Sequence, residues 1–289
     1  MPDFASHAKH FEDSMRAAGR AERTVASYLT ALTCFDRFLK PRSLDDASAG
    51  DIVAYRLDLG SRGRGPSSQR MAHYALRFFY REVLGHRDWD YDTLPVPGHP
   101  KRLPEILDVQ EVENILEAAP SPKYRAAFMA VYGCGLRTKE LCHLAPAQVD
   151  AARGVLRVNF GKGGKDRPIK LPQILLLELR QCWRTYKPES FIFEGKIPGQ
   201  PISPSAVQRA FRDACRKAGI SKRVSLYSLR HAYATHLLES GENIRRIQAL
   251  LGHQSLNTTA VYTHLARTWL DEVKSPLDSL KLGSKKLKK

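Results

Sequence analysis

The sequence predicts a mainly α-helical protein with one small β-sheet, divided into two domains. Apolar residues recur at helical spacing along most of the chain, and β-like alternation is confined to residues 155–171. A proline-rich stretch separates the two halves, and 289 residues suffice for two hydrophobic cores. We therefore predict a helical domain at 1–91, a linker at 92–104, a mixed α/β domain at 105–280 and a basic tail at 281–289.

The first hundred residues are predicted to be helical. Apolar residues from Tyr28 to Leu39 recur at helical spacing, and Pro41 ends this pattern. The predicted elements are a helix over 21–39, a helix over 49–60, a flexible basic loop over 61–68 and a helix over 71–83. An arginine-bearing helical bundle suits a DNA clamp, and ordinary solvated arginines are an equal alternative. The candidate DNA contacts are Arg62, Arg64, Arg70 and Arg77 in this half, and Lys165 in the second half.

The second half begins after the linker, whose four prolines block helix formation. Asp108 is a candidate N-cap for the first helix of this half. The predicted helices are 109–119, 124–131, 172–185, 204–218, 228–240 and 243–251. The predicted strands are 155–160 and 167–171, joined by a glycine-rich turn at 161–166.

The charge balance indicates a polyanionic partner. The chain has 46 Lys+Arg against 30 Asp+Glu and a net charge of +16, which favours nucleic acid over a protein that is basic by chance. The tail at 281–289 carries five lysines and is expected to touch phosphates. Five widely spaced cysteines without a CxxC pair indicate reduced thiols in a cytoplasmic protein. We expect neither a signal peptide nor a membrane span.

Several scattered residues have the chemistry needed to cut and rejoin a phosphodiester. Arginine binds phosphate through a planar fork, lysine at a hairpin tip can protonate a leaving oxygen, and tyrosine can attack phosphorus. The residues are Arg137, Lys162, Arg230, His253 and Tyr262. This chemistry requires no metal or cofactor, and the sequence has no HExxH motif. The 161–165 turn also lacks the spacing of an ATPase phosphate loop.

Each of these residues has a simpler structural explanation when it is taken singly. Arg137 could form a surface salt bridge with Glu140, and the lysine turn could be an ordinary hairpin. His253 follows Gly252, a common helix stop, and Tyr262 could be a core residue. Spacing alone does not bring the two arginines together.

From Leu103 onward the chain resembles the tyrosine recombinases, the integrase and Xer-like family. The resemblance depends on collinear motifs: Gly135-Leu136-Arg137 with Glu140-Leu141, Gly161-Lys162-Gly163, Leu226 to Leu238 around Arg230-His231, Leu251-Gly252-His253, and Thr258 to His264 around Tyr262. The helical first hundred residues resemble the family's core-binding domain, so the second domain would be the catalytic one.

The resemblance implies a role for each residue. Arg137 and Arg230 would bind the scissile phosphate, and His253 would donate a hydrogen bond to it. Lys162 would protonate the leaving 5′ oxygen, with Lys165 as a weaker candidate. The remaining two roles would be attack on phosphorus by Tyr262, giving a 3′-phosphotyrosyl link, and buttressing of the site by Glu140.

Tyr227 is where the chain departs from the Xer-like pattern, which usually has histidine at this position. A phenol can donate a hydrogen bond but brings no positive charge and is a poor base near neutral pH. We expect Tyr227 to replace the histidine as a phosphate donor; the alternative is a weakened site that needs a partner or a particular assembly. His231 is expected to have a structural or supporting role, and His236 to serve in packing.

The resemblance also implies partners. These are double-stranded DNA with paired half-sites, a second protomer in a homodimer on one site, and a homotetramer in synapsis; a need for accessory proteins is left open. The segment from Ala266 to Leu280 is expected to dock onto a neighbouring protomer, with folding back on its own domain as the alternative. Two other functions remain open: a catalytically silent DNA-binding regulator and a type IB-like topoisomerase.

Overall fold

The computed structural model describes residues 3–91, 98, 104–158, 166–253, 255–260 and 262. The chain divides into two compact units, Met1–Lys101 and Arg102–Lys289. Helices dominate the described residues, which also include one three-stranded sheet, so the predicted fold class is confirmed. Within these residues, no helix is both long and apolar enough to cross a membrane. The predicted linker and the 266–280 segment fall almost wholly outside the described residues.

Within its described residues, the first unit contains four α-helices. They are α1 (Phe4–Ala17), α2 (Glu22–Leu39), α3 (Ala49–Ser61) and α4 (Pro66–Phe78), the last continuing into a π-helical turn at Phe79–Val83. Helix α4 packs against α2 and α3, and α1 packs against α2. Their apolar faces meet in a core rich in aromatic rings, including Phe11, Phe35, Phe79 and Tyr80.

Two features of this unit differ from the sequence prediction. Helix α1 was not located from the apolar pattern; Asp3 caps it by accepting a hydrogen bond from the Ser6 amide at 2.9 Å. Helix α4 begins at Pro66 rather than Met71, so the prediction of a loop over 61–68 is wrong for its last three residues. Proline is well suited to a first helical position because the N–H that it lacks would have no partner within the helix.

The second unit contains eight α-helices and three strands within the described residues. The helices are α5 (Val109–Glu117), α6 (Pro122–Cys134), α7 (Thr138–Cys142), α8 (Gln173–Tyr186), α9 (Pro204–Lys217), α10 (Leu226–Glu239), α11 (Ile244–Leu251) and α12 (Leu256–Ala260). The strands are β1 (Val149–Asp150), β2 (Val155–Val158) and β3 (Arg167–Lys170). The short α7 and β1 were not predicted from the sequence, because neither is long enough to show a period.

The interior of this unit is organised around α6, which packs against α8, α9 and α10. All residues from Ala126 to Val131 on α6 are buried, so this helix lies inside the unit. The sheet is antiparallel in the order β1-β2-β3, and Val158 pairs with Arg167 at one end of the β2–β3 ladder. Along β3, Arg167 and Ile169 are buried while Pro168 and Lys170 are exposed, so the strand turns Arg167 inward.

Candidate active site

The first component of the site is the junction between α6 and α7. Helix α6 ends at Gly135 in the left-handed region, with φ of 57°. A Cβ on Gly135 would lie 2.7 Å from ring atoms of Tyr233, so the position has no room for a side chain. The chain then places Arg137 at the N-cap of α7. Its amide and its guanidinium both donate to Glu140, each at 2.8 Å.

Glu140 is a buried carboxylate held by two arginines. Arg167 makes a bidentate pair with it, at 2.9 and 2.8 Å, in addition to the contact from Arg137. Burial alone would raise the pKa of Glu140, but the hydrogen bonds from Arg167 and Arg137 outweigh burial and lower it below its ordinary value. Glu140 is therefore ionised at neutral pH and acts as the anchor between the two guanidinium groups.

Three arginines also form hydrogen bonds with the C-terminal end of α11. They donate to three successive carbonyl groups: Arg167 Nε to Leu250 O at 2.7 Å, Arg230 Nη2 to Leu251 O at 2.7 Å and Arg137 Nη2 to Gly252 O at 2.8 Å. The last carbonyls of a helix lack partners within it and carry partial negative charge, so cations are favoured there. The residue after these carbonyls is His253, whose backbone position is thus set by the same arginines.

Arg230 is fully buried on α10. Its Nη1 donates to the Gly135 carbonyl and its Nη2 lies 3.2 Å from His253 Nε2. Its Nε is buried and has no hydrogen-bond acceptor among the described residues. Burial lowers the pKa of Arg230 from its usual value. A buried guanidinium N–H without an acceptor can donate to an anionic oxygen, and the neighbouring groups must first move apart to admit one.

His253 is held by contacts on both ring nitrogens. Because arginine only donates, His253 Nε2 must accept from Arg230, and Nδ1 then donates to Thr259 Oγ1 at 2.9 Å. Burial, followed by the charges of Arg230 and Arg137, lowers the pKa of His253 to about 4. The imidazole is therefore neutral at pH 7. Thr259 itself is fully buried and was not singled out from the sequence.

Tyr262 lies in the same cluster. Its ring stacks on that of His253 with centroids 6.4 Å apart, and its hydroxyl lies 3.1 Å from His231 Nδ1. Only 2% of Tyr262 is exposed, and burial raises the pKa of its hydroxyl to about 12. The hydroxyl is therefore protonated at neutral pH and can react as a nucleophile only if its proton is removed.

Tyr227 lies at the edge of this cluster, in the first turn of α10. Its ring packs edge-on against His231, with centroids 4.5 Å apart and an interplanar angle of 87°. The Arg230 guanidinium lies 5.9 Å from the centre of the same ring, within cation–π range. Tyr227 is 38% exposed, so it can reach a ligand that approaches from solvent.

Four of the six candidate catalytic residues, Arg137, Arg230, His253 and Tyr262, thus form one connected cluster, with Tyr227 against its edge. Lys162 and Lys165 lie outside the described residues. Sequence reasoning missed Arg167, although its inward register on β3 directly after the lysine turn was a usable signal. His236 was expected to pack, and it does so with a hydrogen bond to Tyr132 at 2.9 Å.

The candidate DNA-binding arginines lie on the first unit. A groove of about 740 Å³ between α2, α3 and α4 is lined by Arg62, Arg64 and also Arg37, which was not proposed from the sequence. Arg62 is exposed and pairs with Asp58 at 2.9 Å. Arg70 and Arg77 lie on α4 but do not line this groove.

Family comparisons match both units of the chain. Residues 105–268 match the phage integrase family, and residues 8–90 match the phage integrase N-terminal SAM-like domain. A putative integrase/recombinase, y4qK, from Sinorhizobium fredii is 38% identical over 94% of this chain and 88% of its own length. The tyrosine recombinase XerA of Pyrococcus furiosus is 34% identical over 91% of both chains.

Solved structures agree with this assignment. A crystal structure of XerA recombinase has a TM-score of 0.54 at 30% identity, covering 92% of this chain and 95% of the other. A lambda integrase dimer bound to a COC′ core site has a TM-score of 0.74 at 21% identity, covering 89% and 97%, which is evidence for the fold alone. The chain therefore belongs to the phage integrase family and is a tyrosine recombinase.

Proposed function

We propose that this site-specific recombinase cuts and rejoins DNA strands through a covalent link between Tyr262 and a 3′ phosphate. The observation that carries the proposal is the contact network of Arg137, Arg230, His253 and Tyr262. Arg137 reaches the Gly252 carbonyl 115 residues away in the sequence, and the next residue, His253, contacts Arg230 and stacks on Tyr262. Two cations, an imidazole and a phenol in one cluster can bind a phosphate and attack it.

In the proposed reaction, Arg137 and Arg230 hold the non-bridging oxygens of the scissile phosphate. The hydroxyl of Tyr262 attacks phosphorus and forms a P–O bond, while the bond from phosphorus to the 5′ oxygen breaks. Lys162 is proposed, on the family resemblance, to protonate that oxygen. Attack by a 5′ hydroxyl of a partner strand reverses the step, so the bond energy is conserved.

His253 and Tyr227 are proposed as further phosphate ligands. In the structure, His253 Nε2 accepts a hydrogen bond from Arg230. The imidazole can therefore donate to phosphate through Nε2 only after its proton moves from Nδ1 to Nε2. Thr259 permits this exchange, because its hydroxyl can accept from Nδ1–H or donate to a bare Nδ1. The Tyr227 hydroxyl is proposed to donate from the exposed edge of the cluster.

A nicked suicide substrate tests the nucleophile. A footprint of the protein on DNA flanking its gene would first locate a site, and a nick beside the cleavage point would then prevent rejoining. Wild-type protein should accumulate a covalent complex, and Tyr262→Phe should bind the same DNA without forming one. Binding without trapping by wild type would support the silent regulator, and relaxation of DNA without recombination of two sites would support the topoisomerase.

A sulfur-substituted leaving group tests Lys162. A 5′-bridging phosphorothioate leaves as a thiolate, which needs little protonation because thiols are far more acidic than alcohols. Lys162→Ala should therefore cleave this substrate at near wild-type rate and the normal substrate much more slowly. An equal defect on both substrates would exclude an acid role for Lys162, and the same comparison with Lys165→Ala would show whether Lys165 has that role instead.

We propose that Arg62 and Arg64 contact DNA phosphates from the groove on the first unit. The ion pair of Arg62 with Asp58 is exposed, so phosphate can compete with it at small cost. Replacing Arg62 or Arg64 with alanine should remove one phosphate contact. The DNA affinity of each variant should then depend less steeply on salt concentration, by roughly one released counterion, and the preferred DNA site should not change. Arg16→Ala is the matched control, since Arg16 is a half-exposed, ion-paired arginine outside the groove.

The proposed assembly is a homodimer on one DNA site and a homotetramer when two sites are joined. Solved structures with this fold include a lambda integrase dimer on a core site and a lambda integrase tetramer on a Holliday junction. Light scattering of the protein with one and with two sites would measure the stoichiometry. A monomer on a complete site would contradict the proposal.

A further inference from the structure

His231 links the unusual Tyr227 to the proposed nucleophile. Its Nδ1 lies 3.1 Å from the hydroxyl oxygen of Tyr262, and its ring packs edge-on against Tyr227 on the same helix. Residues four apart on a helix share one face, so the Tyr227 ring limits rotation of the imidazole. His231 therefore lies between Tyr227 and Tyr262, and its imidazole contacts the Tyr262 hydroxyl that is proposed to attack phosphorus.

The other groups around Tyr262 are poorly placed to accept its proton. His253 stacks on the Tyr262 ring, but its Nε2 accepts from Arg230 and its Nδ1 contacts Thr259. Tyr227 is a phenol and has little basicity at neutral pH. The arginines only donate. Among the described residues that contact Tyr262, His231 is thus the one with a ring nitrogen directed at the hydroxyl.

We propose that His231 is a catalytic base that accepts the proton of Tyr262 during strand cleavage, a role that rests on the function proposed above. As the P–O bond forms, the proton moves from the Tyr262 hydroxyl to Nδ1 of a neutral His231 that carries its own hydrogen on Nε2. The bond to the 5′ oxygen breaks and that oxygen takes a separate proton. On rejoining, His231 returns its proton to Tyr262 as the P–O bond breaks.

The charges around His231 fit this sequence of events. Burial, and then the charge of Arg230, lowers the pKa of His231 to about 4, so the ring is neutral at pH 7 but a weak base while the charge of Arg230 is uncompensated. A phosphate bound to Arg230 would offset the second of these effects and favour the imidazolium when it is needed. Among the residues that the structure describes, the charged and titratable groups facing the ring are Tyr227 and Arg230 on its own helix, with Tyr262 and His253 across from it.

Single-turnover cleavage of the nicked substrate at saturating protein tests the proposal. His231→Asn keeps an oxygen acceptor near the position of Nδ1 but cannot take a proton. We expect it to bind DNA like wild type and to cleave at least about 100-fold more slowly. Its rate should rise with pH in the alkaline range, because hydroxide replaces the missing base, and wild type should show a weaker rise. Added imidazole should partly restore cleavage by His231→Ala, which leaves room for the ring.

His236→Asn is the matched control, because His236 lies on the same helix and bonds to Tyr132 rather than Tyr262. We expect this variant to cleave within about threefold of wild type. Cleavage by His231→Asn within threefold of wild type would overturn the proposal. So would a loss that neither pH nor imidazole relieves, since that pattern indicates a purely structural role. If wild type itself traps no covalent complex, the proposed function fails as well, so the two failures are distinguishable.

Discussion

Replacing Arg167 with methionine should destabilise the second unit more than any exposed arginine replacement on the same sheet. The side chains of Arg167 and Glu140 are 8% and 4% exposed. Among the described residues, the change leaves the Glu140 carboxylate with Arg137 as its remaining cationic partner. Removing one member of a buried ion pair costs about 3–5 kcal/mol. Because Arg137 still compensates part of the charge, we expect about 3 kcal/mol, including the lost bond to the Leu250 carbonyl.

Calorimetry of the full chain measures this effect. For a unit of this size, a loss of about 3 kcal/mol corresponds to a fall in Tm of about 6–12 °C. The matched control is Arg157→Met on β2, whose exposed pair with Asp150 at 3.3 Å should contribute at most about 1 kcal/mol. A shift for Arg167→Met no larger than that of the control would refute the reasoning. Combining Arg167→Met with Glu140→Gln should recover part of the lost stability, because the buried carboxylate that Arg167 compensated is then neutral, although Arg137 loses its anionic partner.

Three further predictions concern neighbouring positions. Gly135→Ala should lower the free energy of unfolding by more than Gly154→Ala. Both glycines have positive φ, but only a Cβ at Gly135 would lie against an aromatic ring. Urea denaturation of the two variants measures the difference. Thr259→Val should slow suicide-substrate cleavage about tenfold with DNA binding unchanged, because His253 loses its Nδ1 partner, while Thr259→Ser should not. The pKa of Glu140 is lowered in the folded protein, so the ionised carboxylate should stabilise the fold fully above its ordinary pKa, and this stabilisation should be lost as pH falls through the folded pKa. The difference in free energy of unfolding between wild type and Glu140→Gln should therefore shrink between pH 6 and pH 3.

Local sequence features predicted much of the fold. Helices α2, α3 and α8 to α11 lie close to their expected bounds, because each has an apolar face with a 3.6-residue period or a clear capping residue. The elements that escaped prediction are short or begin unusually. Helix α7 has five residues, β1 has two, and α4 starts at a proline inside a stretch with the composition of a loop.

The sequence predicted some residues of the candidate site and missed the role of others. Family motifs identified Arg137, Arg230, His253 and Tyr262 as one set, and the structure brings these residues into contact. No motif indicated Arg167, whose partners lie 27 and 83 residues away. His231 was expected to have a structural or supporting role, because it directly follows Arg230 in the family pattern. The sequence could not show that its Nδ1 lies 3.1 Å from the Tyr262 hydroxyl, since that distance depends on the tertiary structure.

The sequence by itself therefore determined the mainly helical fold class, the family and the order of the reactive groups along the chain. These follow from periodicity and from motifs that are local in the sequence. Only the tertiary structure decided which groups share a proton or a charge: that Arg167 compensates Glu140, that three arginines hold the end of α11, and that His231 faces Tyr262. Hydrogen bonds and burial act over a few ångströms, so they depend on where the folded chain places residues that are far apart in sequence.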